Sequence, residues 1–283
     1  MEEKLLKNEL KINGKNGRPI TFDINYHKQS IKKPIIIFSH GFKGFKDWGT
    51  FNLMADEFAK NNYFFLKLNF SYNGTSPDNI DELNDFEAFG NNNFEKELND
   101  LDCIIDWLYE KDNIYADFFD KNEIYMIGHS RGGGISILKT IEDARIKKVS
   151  AWATINDFEK YMYLSDIEKW KQTGVSFVEN SRTGKQMPLY FQFYENFIQN
   201  KDRFNLQKQL YKLDKPLLLV HGTNDKTVDI TDAEWIYENI LHSILIKIED
   251  ADHTFNSKHK WNEKNLPEKL KIAIEETIEF FRI

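Results

Sequence analysis

The chain has 283 residues, 41% of them hydrophobic, with 45 acidic against 38 basic side chains and a formal net charge of -7. Its pI near 5.6 and the absence of a basic stripe exclude nucleic acid as an expected partner. No stretch approaches the roughly 18 apolar residues of a membrane span, and Met1 to Glu9 lack the apolar core of a signal peptide, so no membrane partner and a cytoplasmic location are expected.

Leu5 to Ile12 and Pro19 to Tyr26 alternate apolar and polar residues about Asn13-Gly14-Lys15-Asn16-Gly17, a hairpin signal that opens the sheet with an antiparallel edge. Pro34 to Ser39 is an apolar run predicted as a buried strand, and it ends in His40-Gly41-Phe42-Lys43-Gly44. Gly41 lets the backbone turn so that the Phe42 amide faces a reacting carbonyl, although the pair taken alone reads equally as a strand terminator. Beside that turn, Lys43, Lys46, Asp47 and Trp48 read either as substrate contacts or as a solvated rim. A helix near Phe51 to Lys60, a strand over Tyr63 to Asn69, a loop through 71–77 and a long helix over roughly Phe94 to Tyr109 follow. Cys103, the sole cysteine, falls among Leu101, Ile104, Ile105 and Leu108 and reads as a small buried hydrophobe without a disulfide partner.

The strand Ile124 to Ile127 runs into Gly128-His129-Ser130-Arg131-Gly132-Gly133 and then into a helical pattern over Ile135 to Leu138. Gly-x-Ser-x-Gly between a strand and a helix is a nucleophile elbow: the two small residues let strand and helix approach closely, so that Ser130 Oγ projects above the sheet. The helix that begins there turns its positive end and free amides toward a reacting carbonyl. The Arg131 amide is therefore one predicted oxyanion donor and the Phe42 amide the other. The Arg131 side chain, charged beside a sheltered site, is expected to pair with an internal carboxylate rather than with a substrate anion.

After the strand Val149 to Ala153, about sixty residues precede the next core strand, too many for an ordinary connection. Residues 155–213 are therefore predicted as a cap inserted into a core made of 1–154 and 214–283. The cap is read as a helix near Ile167 to Lys171 and a hairpin of Val175 to Val178 and Leu189 to Phe193 about Asn180 to Lys185. Its aromatics, among them Phe158, Tyr163, Trp170, Phe193 and Phe197, are expected to build a small core for the cap, with some lining the acyl or alcohol pocket.

Pro216 to Val220 is another apolar strand, followed by His221-Gly222-Thr223-Asn224-Asp225. A carboxylate just past a strand's carboxyl end sits on the functional rim of a parallel sheet, which makes Asp225 the candidate acid. It also reads as an ordinary turn aspartate, and Asp157, past the preceding strand, is its rival. The strand Ile244 to Ile248 leads to Glu249-Asp250-Ala251-Asp252-His253-Thr254-Phe255, where His253 is the candidate base. His40, His129 and His221 are built into strand exits, and His259 stands in a Lys-rich, solvated setting. Asp252 reads as shaping the loop, because neighbouring side chains diverge.

The order Ser130, Asp225, His253, with the His-Gly turn upstream, resembles the α/β-hydrolase superfamily from about residue 20 onward. The short His-Gly-Phe turn, the Gly-His-Ser-x-Gly-Gly elbow and the Asp-His-x-Phe ending are similar to the dienelactone-hydrolase-like and cinnamoyl or feruloyl esterase branch. Dienelactone hydrolases proper carry cysteine where Ser130 stands, which argues against lactone opening by their mechanism. The alternation of strands and helices implies an α/β fold, a mainly parallel sheet with helices on both faces, and the resemblance adds a small cap before the acid-bearing strand.

The resemblance implies a serine hydrolase that cleaves a carboxylic ester through an acyl-enzyme. Ser130 attacks, His253 moves the proton, Asp225 orients the imidazole, and the amides of Phe42 and Arg131 hold the oxyanion, with no metal and no cofactor. An aminopeptidase or amidase would use the same machinery but would need acidic pocket groups such as Glu159, Asp166, Glu179 or Glu195. A ligand-binding protein that kept the fold is the alternative from another class. The expected partner is a small-molecule ester, and the sequence allows a homodimer without arguing for one.

Overall fold

The computed structural model describes residues 4–28, 31–76, 78, 82–162 and 166–283. Of the positions named above, residues 1–3, position 77 and Tyr163 lie outside the described residues. The chain opens with β1 (Leu5–Asn13) and β2 (Pro19–His27), an antiparallel hairpin that sets Leu5 opposite His27 and Asn13 opposite Pro19. Strands and helices then alternate: β3 (Lys33–Ser39), α1 (Phe51–Lys60), β4 (Phe64–Asn69), α2 (Phe86–Gly90), α3 (Phe94–Leu108), β5 (Phe119–His129), α4 (Arg131–Glu142) and β6 (Ile146–Trp152). Six short elements follow: α5 (Ile167–Thr173), β7 (Val175–Asn180), β8 (Lys185–Tyr190), α6 (Gln192–Gln199), α7 (Lys201–Phe204) and α8 (Leu206–Leu210). The chain closes with β9 (Leu217–Gly222), α9 (Thr231–Asn239), β10 (Ser243–Ile248) and α10 (Glu268–Arg282).

The main sheet runs β1-β2-β4-β3-β5-β6-β9-β10. The first two pairs, β1 with β2 and β2 with β4, are antiparallel and every later pair is parallel. This is the α/β-hydrolase arrangement that the alternating elements imply. Because successive strand residues point to opposite faces, the core divides into two layers. Ile35 and Ile37 join Leu66, Met126 and Leu219 beneath α3 and α4, whereas Ile36 and Phe38 join Phe65, Ile127 and Val220 beneath α1 and α10. Strands covered on both faces must be apolar throughout, which is why β3 shows no alternation. Helix α10 adds to the sequence-based expectation, and its signal is readable: Leu270, Ala273, Ile274, Ile278 and Phe281 recur at helical spacing and are buried. Among the described residues no helix is long and apolar enough to cross a membrane.

Two expectations change with the packing. Lys46 and Asp47 form neither a solvated rim nor a substrate contact; they join Asp23 and Lys67 in an ion cluster. Lys46 Nζ lies 2.9 Å from Asp23 and 2.5 Å from Asp47, while Lys67 Nζ lies 2.6 Å from Asp47 and also bonds Asp23. Asp23 stands opposite Lys67 in the register of β2 and β4, and both are wholly buried. Two cations against two carboxylates satisfy a desolvation cost that neither sign could bear alone. Burial works to raise the Asp47 carboxyl, but the Lys67 and Lys46 charges hold it well below the usual carboxylate range.

The second change concerns the insert between β6 and β9. Its aromatics split: Trp170, Phe191 and Tyr194 cluster together, but Phe158, Phe193, Phe197 and Phe204 surround Phe94 of α3 at ring-centre distances of 4.5, 5.0, 6.3 and 5.5 Å. The second group continues the main core rather than forming a separate one. The hairpin is present, but its second strand ends at Tyr190, earlier than the expected Phe193. Gln192 opens α6, which buries Phe193 and Phe197 four residues apart on one helical face.

Candidate active site

The elbow is built by backbone crowding. A Cβ on Gly128 would lie 2.2 Å from the Gly132 carbonyl oxygen, and one on Gly132 would lie 2.4 Å from that of His40. Only residues without a side chain admit that approach. Ser130 itself sits at φ 58, ψ -125, a region that costs a non-glycine residue about 1–3 kcal/mol. The surrounding bonds over-determine it: its N–H donates to the Trp152 carbonyl at 2.8 Å and its carbonyl accepts from Gly133 at 2.9 Å. The strain thus holds Oγ at the end of β5, at the mouth of the sheet.

Three loops converge there. His253 Nδ1 lies 2.7 Å from Asp225 Oδ2, and His253 Nε2 lies 3.0 Å from Ser130 Oγ. An ionised carboxylate only accepts, so Nδ1 carries the proton and Nε2 accepts from the Ser130 hydroxyl. The other Asp225 oxygen accepts from the amides of Thr227 and Val228 at 2.8 and 3.0 Å. His221 Nε2 reaches Asp225 Oδ2 at 3.3 Å and the Val228 carbonyl at 3.0 Å. Burial works to raise the Asp225 carboxyl, but hydrogen bonds from His221 and His253 and the His253 charge hold it well below the carboxylate range. The carboxyl therefore stays ionised.

Asp157 stands apart from this line; its carboxylate accepts from the Glu159 amide at 2.8 Å and closes a turn at the start of the insert. Asp252 shapes its loop, accepting from the amides of Thr254 and Asn256 at 2.8 Å each. His129 donates from Nε2 to the His253 carbonyl at 2.7 Å, steadying the loop that carries the imidazole. Burial, followed by the His253 charge, lowers His129 to about 3, and burial lowers His40 to about 4. Both are neutral structural groups. His259 is half-buried rather than solvated, taking the Gly49 N–H at 3.0 Å and packing on Phe45. The supporting roles of His129 and His221 carry no sequence signal beyond their position at strand ends.

The turn after β3 lies against the elbow: a Cβ on Gly41 would stand 3.0 Å from that of Ser130. Arg131 opens α4, so its amide belongs to the first helical turn, which has no intrahelical acceptor. Its guanidinium does pair internally, with Glu97 at 2.5 Å, and lies 4.4 Å over the Phe42 ring. That stack ties Arg131 to Phe42, the two residues expected to supply the oxyanion amides. Glu97 is held in turn by Asn92 at 2.8 Å.

A cavity of about 270 Å³ opens onto Ser130 and His253. It is lined by the turn 41–44, by Trp48 and Phe51, and by the hairpin turn Asn180-Ser181-Arg182. Among the described residues no aromatic of the insert lines it, contrary to expectation; Phe158, Phe193, Phe197 and Phe204 are drawn into the packing around Phe94 and Trp170, Phe191 and Tyr194 into their own cluster, and the polar hairpin turn faces the cavity instead. Among the same residues no group of three His, Cys, Asp or Glu side chains is arranged to hold a metal ion.

The BD-FAE family model matches residues 22–240, well over half of the chain. No curated protein matches the sequence. Among solved structures, Est1E from Butyrivibrio proteoclasticus with bound ferulic acid superposes with a TM-score of 0.72 at 19% identity, over 96% of this chain and 98% of that one. The esterase domain of a Rhodothermus marinus protein gives 0.64 at 16% identity, over 98% of each. A puromycin-hydrolyzing peptidase from Mycobacterium tuberculosis gives 0.66 at 14% identity, covering 99% of this chain and 39% of that one. At these identities the likeness shows the fold alone, and the fold serves both ester and amide chemistry.

Proposed function

This chain belongs to the BD-FAE family of α/β-hydrolases, and on that premise we propose that it is a serine hydrolase cleaving a carboxylic ester through an acyl-enzyme. The observation that carries the reading is the hydrogen-bonded line from Asp225 through His253 to Ser130, at 2.7 and 3.0 Å, ending in the cavity. Ser130 Oγ attacks the carbonyl as its proton passes to His253 Nε2. Asp225 keeps Nδ1 protonated and stabilises the imidazolium. The carbonyl oxygen, gaining charge, is met by the amides of Phe42 and Arg131. His253 returns its proton to the departing alcohol, and water activated by the same nitrogen then releases the acid from Ser130.

The cavity lining favours an ester over an aminopeptide, because none of its residues is Asp or Glu and a substrate ammonium would meet no counter-charge there. The rings of Phe42, Trp48 and Phe51 suit an apolar or aromatic portion of the substrate. The insert supplies the hairpin wall and, in this reading, acts as a cap that selects among esters. A fluorophosphonate probe and turnover of para-nitrophenyl acetate test the assignment. The parent should be labelled and active and Ser130→Ala neither, whereas equal labelling of both would remove Ser130 from the chemistry.

A further inference from the structure

The cavity above Ser130 has a charge opposite to that of the molecule. Over the whole chain acidic residues outnumber basic ones, 45 to 38, yet the charged side chains lining the cavity are Lys43 and Arg182, with no Asp or Glu among the lining residues. Lys43 leaves the oxyanion turn and Arg182 the tip of the β7–β8 hairpin, so the two cations come from separate parts of the chain to one opening.

Arg182 differs from the other arginines. Arg18, Arg131, Arg145 and Arg203 each donate to a carboxylate, and Arg282 donates to an amide oxygen. Among the described residues the Arg182 guanidinium has no such partner; only its backbone amide is engaged, by Asn180 at 3.2 Å. Lys43 donates one hydrogen bond to the Glu179 carbonyl at 3.0 Å and lies 5.5 Å from the Phe42 ring centre, so its ammonium retains donors for a ligand. The Glu179 side chain is exposed and does not line the cavity, although its charge reaches Lys43 from outside it. An arginine left unpaired at the mouth of a small cavity, with its planar fork of donors, matches a carboxylate in charge and shape.

We propose that the preferred substrates are small esters that carry a free carboxylate, held by the Arg182 guanidinium and the Lys43 ammonium while Ser130 addresses the ester carbonyl. This rests on the hydrolytic reading of the Ser130 site. The carboxylate belongs either to the acid half, as in a half-ester of a dicarboxylic acid, or to the alcohol half, as in an ester of a hydroxy acid. Both present the same group to the same two cations.

Matched pairs separate charge from shape. para-Acetoxybenzoate against para-acetoxybenzamide tests the alcohol half, and monomethyl adipate against methyl adipamate tests the acid half. In the parent protein kcat/KM should favour the anion about tenfold in one of the pairs, the product of two partly exposed charge contacts each good for a few-fold. The ratio should fall to about two- to threefold in Arg182→Gln and in about 0.5 M salt, where screening shortens the reach of such contacts. Calorimetric titration of Ser130→Ala with each ester and its amide partner gives a readout that needs no turnover. Anion preference that disappears in Ser130→Ala/Arg182→Gln supports the carboxylate site even if no ester is hydrolysed, in which case the hydrolase reading alone falls. Equal turnover and equal binding of anion and amide, or a preference indifferent to Arg182, would overturn the carboxylate site and leave ester hydrolysis untouched.

Discussion

The rim that carries Ser130, Asp225 and His253 and the hairpin that faces it across the cavity are held by different means. On the rim, position is set by main chain against main chain: a 2.2 Å clearance at Gly128, the Ser130 amide on the Trp152 carbonyl, and two amides on one Asp225 oxygen. The hairpin tip at Ser181 and Arg182 is exposed, and a lysine hydrogen bond, Lys43 to the Glu179 carbonyl, ties the hairpin to the turn after β3. A main-chain lattice cannot shift without breaking several bonds at once, whereas a turn held by side chains can vary at small cost. In the proposed reading, chemistry that tolerates little displacement occupies the first region, and recognition occupies the second.

The largest effect that this contrast predicts is at the strained serine. Ser130→Ala should lower kcat for para-nitrophenyl acetate by about a million-fold, with unchanged circular dichroism; a residual rate within a hundredfold of the parent would show that the rim does not carry the reaction. Next is the acid. Asp225→Asn offers its amide to His253 and His221 in place of a carboxylate, forcing the wrong tautomer, and should cost about four orders of magnitude in kcat. Asp157→Asn keeps the acceptor for Glu159 and should cost about tenfold or less. The reverse pattern in folded variants would move the acid to Asp157.

Stability should divide along another line, because the insert is anchored around Phe94 and not at its tip. Phe94→Ala removes the ring that four insert phenylalanines surround and should destabilise by about 3–5 kcal/mol. Arg182→Gln, at the exposed turn, should stay within about 0.5 kcal/mol. Urea unfolding of the two variants makes the comparison; similar losses would mean that tip and anchor are equally structural.

The smallest effect concerns pH. Asp100 of α3 is buried and accepts from the Ser71 amide and hydroxyl at 2.7 and 2.9 Å. Burial raises its carboxyl to about 7 despite those bonds. The native state therefore keeps a proton that the unfolded chain loses near pH 4, and the contribution of Asp100 to stability falls as pH rises from there to about 7, then levels. Relative to Asp100→Asn, the parent should lose about 2–3 kcal/mol between about pH 5 and pH 8, while the neutral His40 and His129 act in the opposite direction and equally in both proteins. Parallel unfolding curves for parent and variant across that range would contradict the shift.

Much of the rim was legible because its signals are local. A strand, a glycine-flanked serine and a helix define the elbow within about a dozen residues, and each strand exit carries its own turn chemistry. The insert was legible as length and as a hairpin, but its register was not. The Leu189 to Phe193 run suits a strand or the start of a helix, and only the pull of Phe193 and Phe197 toward Phe94 turns it helical after Tyr190. The C-terminal helix was readable from its apolar spacing. Lys46 and Asp47 were not, since nothing near them in sequence announces Asp23 and Lys67.

The sequence by itself determined the α/β order of elements, the placement of Ser130 on a strained turn, and the succession of Ser130, Asp225 and His253. These follow from backbone sterics and apolar periodicity acting over short stretches of chain. Tertiary structure decided which aspartate meets His253, that His221 and His129 brace that pair, and that polar residues of the hairpin rather than its aromatic neighbours face the cavity. It also decided that two lysines near the sheet edge are buried with their carboxylates. Each of those outcomes depends on which distant strands become neighbours and which side chains find room between layers, and such contacts are set by packing across the whole sheet.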